Sequence, residues 1–143
     1  MPRYTRLTIV LACIGAVAVV AYWAIWFVGD RSWLASLDTP SYYTFENAFP
    51  AADGWLAIGS AGTAYTLATR RPSAMLWLLV SGSASVYLGL MDVLFDVENG
   101  VYAAPDVGAV VTEAIINVTS LAVGAWNIWF GWHHRRELLA LTA

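Results

Sequence analysis

LTIVLACIGAVAVVAYWAIWFV, residues 7–28, runs for 22 residues without a charge. A helix needs about 20 such residues to cross a ~30 Å hydrocarbon core, so this stretch reads as a membrane span. Arg3 and Arg6 in front of it imitate the start of a secretory signal. The run is too long for a signal h-region of about 7–15 residues, and no small-x-small cleavage site ends it. Leu11-Ala12-Cys13 comes too soon after Arg6 for a lipoprotein box. Cys13, the sole cysteine, reads as a small packing residue and excludes a disulfide framework.

Three more stretches have the same character, at residues 51–68, 73–95 and 110–132. Charged residues make up 12% of the 143, against about 25% in a soluble domain. Mean hydropathy is +0.62, so lipid must solvate much of the chain. With a net charge of −3 and no lysine, nucleic acid is excluded as a partner. Arg3, Arg6, Arg70, Arg71, Arg135 and Arg136 fall on one side of the four spans; only Arg31 does not. The positive-inside rule makes that side cytoplasmic. Nine of the ten acids, all but Glu137, lie toward the other side. The expectation is one domain, residues 1–143: an all-α, four-helix transmembrane bundle, up-down-up-down, with both termini cytoplasmic. It would be a multi-pass protein of the plasma or cytoplasmic membrane.

Between spans one and two, residues 29–49 have the aromatic, amphipathic look of a segment at headgroup level. Thr39-Pro40 predicts the N-cap and first position of a short helix, and Pro50 predicts a break at the entry to span two. Asn99-Gly100 predicts a tight turn, and His133 and His134 read as interfacial anchors.

Spacings of four and three residues pick out the packing face of each span. Span four gives Glu113, Asn117, Ser120, Gly124, Asn127 and Gly131, all polar or small. Span two gives Glu46, Pro50, Asp53, Ala57, Ser60 and Ala64. Span three gives Ser81, Ser85, Gly89, Asp92 and Asp96, and span one gives Thr8, Ala12, Gly15, Val19, Tyr22 and Trp26. The inner halves of these stripes read as close-packing surfaces. The outer halves carry acids. At 1.5 Å per residue, Asp53 and Asp92 lie roughly 25 Å from the arginine side, with Asn117 near that level and Glu113, Asp96 and Glu46 further out.

A charge in hydrocarbon costs about 2.5–3.5 kcal/mol, so these residues should face a cavity or a partner. No span contains a basic residue to pair with them. Three solutions follow. Some carboxylates stay protonated, a metal or sodium ion sits among them, or the ligand is an organic cation held also by Tyr22 and Trp26 through cation–π contact. The leading expectation is a binding or transport protein, not an enzyme. Its outward-facing acidic and aromatic pocket would be lined by Asp53, Asp92, Glu113, Asn117, Asp96, Glu46, Tyr22 and Trp26, and would take a cation or a small cationic or polar ligand. No cofactor motif occurs. The competing readings are an enzyme on a lipid or sterol-like substrate, with Asp53, Asp92 or Glu113 as general acid and base, and an accessory subunit or homodimer whose polar seam meets a partner helix.

Phe45-Glu46 and Phe49-Pro50 at the entry to span two, with acids late in span three, resemble the sterol-isomerase and sigma-2-receptor type of four-span membrane protein. The resemblance covers a minority of the chain. It implies Glu46 and Asp53 as pocket acids and a sterol- or lipid-like ligand. The pocket histidine of the isomerases has no equivalent here.

Overall fold

A computed structural model describes residues 2–141, and among these the chain is helical throughout, with no strand. Four long helices dominate: α1 (Thr5–Val28), α3 (Pro50–Ala68), α4 (Ala74–Glu98) and α5 (Val107–His133). The short α2 (Pro40–Glu46) precedes α3, and α6 (Arg135–Leu139) follows α5. Single 3₁₀ turns occupy Arg31–Trp33 and Val101–Ala103.

Local chemistry sets the boundaries. Thr39 caps α2 by accepting from the Tyr42 N–H at 3.2 Å, with Pro40 at the first helical position. Pro50 opens α3, so the chain breaks between Glu46 and that proline. Glu46 therefore belongs to α2 and not to the span-two stripe. Asp106 caps α5 by accepting from the N–H groups of Gly108 and Ala109. Gly100, at φ +68°, makes the turn that α4 needs to reverse. Helix α4 runs on to Glu98, which carries Asp96 inside the helix, 3% exposed.

Three helices, α1, α4 and α5, are long and apolar enough to cross a membrane. Helix α3 has 19 residues, about 28 Å of length, but a composition rich in Gly, Ser and Thr. Its two threonine hydroxyls bond within the helix: Thr63 donates to the Gly59 carbonyl and Thr66 to that of Gly62. Small residues suit its position, since α3 packs against both α1 and α4. A Cβ on Gly59 would stand 3.3 Å from Ser81 of α4.

Helix α4 packs in turn on α5. They come close at Gly82 and Gly124, where a Cβ on either would lie 2.9 Å from the other's carbonyl oxygen. One end of the molecule is closed by Leu67, Ala74, Leu78, Phe130 and Leu138, all fully buried, with Ile9, Trp126 and Leu141 against them. That end gathers the start of α1, the α3–α4 turn and the end of α5, so six of the seven arginines belong to it. Trp126 of α5 reaches α1 there, its Nε1 donating to Thr8 Oγ1 at 3.1 Å. Beyond that contact α1 and α5 do not pack along their length. Cys13 is exposed on the outer surface of α1, not packed inside. Its place one residue beyond Ala12, which is 2% exposed, turns it off the packing stripe.

Candidate functional site

At the end opposite the arginines, the 29–49 segment folds back over the helix termini. Phe45 stacks on Phe95 of α4 with centroids 3.8 Å apart, and Tyr42 packs on the same ring. Beneath this cover lies a cavity of about 400 Å³, within the range of small-molecule sites. Tyr22, Glu46, Asp53, Asp92, Asp96 and Glu113 all line it. The wall continues away from the acids through Gly15, Ser60, Ser81, Ser85, Ser120 and Val123 to Asn127.

Four of the five carboxylates are held by neutral donors. The Tyr22 hydroxyl donates to Glu46 Oε2 at 2.9 Å, and Trp23 Nε1 donates to Asp53 Oδ2 at 2.9 Å. Asn117 Nδ2 donates to Asp96 Oδ2 at 2.7 Å. Glu113 accepts from both Ser36 Oγ and the Tyr42 hydroxyl. Asp92 has neither a hydrogen bond nor an ion pair among the described residues, and it faces the open volume. Among the described residues no basic side chain lines the cavity. Arg31, the one arginine at this end, lies over the Tyr43 ring at 4.5 Å instead. Among the described residues the only contact within ion-pair distance is His134 Nδ1 with Glu137 Oε1 at 3.0 Å, at the other end.

Burial is the main effect on the groups outside the long helices. It pushes the Glu46 carboxyl up to about 7, with the nearby Glu113 and Asp53 charges adding to the rise against the Tyr22 hydrogen bond. Burial, then the Glu46 and Glu113 charges, raises the Tyr42 phenol, so it stays protonated as a donor to Glu113.

Two of the residues expected from the stripes stand behind the cavity and not in its wall. Trp26 is 3% exposed, stacked at 14° on Tyr22, with its Nε1 donating to Asn47 Oδ1. Asn117 backs Asp96 and also donates to the Tyr102 hydroxyl, which leaves its own Oδ1 without a partner. The converse also occurs. Trp23, Ser36, Tyr42 and Asn47 hold the acids or their neighbours, and none lies on a heptad stripe. The loop residues could not be found from periodicity, because their contacts exist only once residues 29–49 fold back. Trp23 had a signal in its indole N–H, which needs an acceptor when partly buried.

Among the described residues, no three His, Cys, Asp or Glu side chains converge closely enough to hold a metal ion. The carboxylates come instead from α2, α3, α4 and α5 and stand around one end of the cavity. No protein family, curated protein or solved structure matches the chain.

Proposed function

We propose that this chain is a four-span membrane protein, up-down-up-down with both termini in the cytoplasm, that binds or transports a small organic cation in an outward-facing pocket. Helix α3 is the fourth span, shielded from lipid on its polar side by α1 and α4. The arginine-rich end is the cytoplasmic one by the positive-inside rule, which turns the carboxylate end to the outside of the plasma or cytoplasmic membrane.

The observation that carries the ligand reading is the charge imbalance: five carboxylates and no base line one cavity. Clustered, poorly hydrated carboxylates cannot all ionise without a counter-charge. An organic cation supplies that charge, and the Tyr22 ring at the cavity wall adds cation–π attraction. A metal ion fits less well, since the acids are not gathered around a point. Asp92, free of internal partners, is the anchor for the cation; the other acids set the field.

Purified protein should gain thermal stability with methylammonium or tetramethylammonium. The gain should shrink as pH falls, because protons compete for the same carboxylates. Asp92→Asn should abolish it, whereas Asp38→Asn, in the loop, should leave it intact. Equal stabilisation of wild type and Asp92→Asn would refute the reading.

A further inference from the structure

The cavity does not end at the acids. On α5 it runs from Glu113 to Asn127, fourteen residues and about 21 Å along the helix axis. Its walls over that distance are mainly apolar, with Leu11, Ile14 and Val19 of α1 facing Ile116 and Val123 of α5. At the far end sits Asn127, 2% exposed. Its Nδ2 donates to Ser81 Oγ at 3.2 Å, and Ser81 is already engaged by Thr63. Among the described residues Asn127 Oδ1 has no partner, and with less than 1 Å² of exposed surface it is sealed behind the wall, so this residue closes the far end of the cavity.

The side wall is open. Helices α1 and α5 meet at Trp126 and Thr8 and then separate. The rim of the gap is apolar: Ile14 is 59% exposed and Ile115 60% exposed, although both line the cavity. On the membrane reading this gap faces acyl chains, not water.

Resting on the proposed function, we infer that the ligand is an elongated amphipathic amine drawn from the bilayer through the α1–α5 gap, with its ammonium at Asp92 and its apolar chain running along the walls toward Asn127. Each part has a feature to match it. The free carboxylate takes the charge and the apolar walls take the chain. A compact cation would fill only the acidic end.

The test compares methylammonium, butylamine, octylamine, dodecylamine and dodecan-1-ol on protein in detergent by thermal shift and calorimetry. Through the alkylamine series, binding should tighten by up to about fourfold per methylene, the value for burial out of water, until the chain fills the cavity. Asp92→Asn should weaken every amine about tenfold or more and leave dodecan-1-ol unchanged. Ala18→Trp, at the edge of the gap, should weaken dodecylamine but not methylammonium. If methylammonium binds through Asp92 and chain length adds nothing, the cation reading survives and this inference falls. If dodecan-1-ol binds as well as dodecylamine, the acids do not read the head group and both fall. The chain-length series uses the wild-type protein, so it decides even where a variant fails to fold.

Discussion

Glu46 shows how one side chain couples the cover segment to the cavity. Its carboxylate holds the Tyr22 hydroxyl of α1 while its own helix, α2, lies across the end of α4. Because burial lifts its pKa from 4.5 to about 7, the folded protein binds this proton more tightly than the unfolded chain. The contribution to stability is therefore complete below pH 4.5 and lost as pH rises through 7. Glu46→Gln keeps an acceptor for Tyr22 and removes the titration. We expect the variant to have a higher Tm than wild type at pH 8, by up to about 3 kcal/mol of stability, and no advantage at pH 4. A Tm series across that range checks it; an advantage independent of pH would mean that Glu46 acts by packing alone. The sequence marked Glu46 as a candidate because it continues the span-two stripe outward from Asp53, but that placed the residue on the wrong helix. The break before Pro50 moves Glu46 onto α2, and that displacement is what lets it meet Tyr22.

At the level of the helices, the packing is built on missing side chains. Without a hydrophobic drive between helices in lipid, association depends on close backbone approach and interhelical hydrogen bonds. Gly82 and Gly124 supply the first for α4 and α5, and Ser85 supplies the second by donating to the Ser120 carbonyl at 2.8 Å. Gly124→Ala should push the two helices apart and lower stability by about 1–3 kcal/mol. Gly54→Ala, where an added Cβ meets nothing within 4 Å, should be neutral or stabilise by about 0.5–1 kcal/mol. Thermal unfolding of the pair reads the contrast, and equal effects would remove the close-approach account of this interface. The packing faces were legible before the structure, but not which residues meet across them, and Gly82 lies one position off the stripe read from the sequence. A stripe of Ser120, Gly124, Asn127 and Gly131 on one helix, against Ser81, Ser85 and Gly89 on another, is a packing face in any arrangement. What periodicity could not show is the gap: α1 carries an equally good stripe, yet that stripe faces α3 and the cavity and leaves α5 free.

For the whole molecule, orientation is the claim that most needs measurement. In a Cys13→Ser background, which should be harmless because Cys13 is exposed on the outer face of α1, a cysteine at Arg70 should be shielded from an impermeant thiol reagent in intact cells. Cysteines at Ser36 and Asn99 should label. Labelling at Arg70 would invert the protein and place the cavity in the cytoplasmic half. The all-helical chain, the long apolar helices and the segregation of arginines from acids were determined by sequence alone. They depend on composition and on period along a single helix, quantities that need no partner. Residues 29–49 were different: their polar and aromatic side chains fit a headgroup-level segment, and only tertiary contact turned them inward, Ser36 and Tyr42 to Glu113, Phe45 to Phe95. The same holds for the free state of Asp92. Whether a carboxylate has a partner depends on every helix around it, so only the assembled bundle decides which groups are left for a ligand.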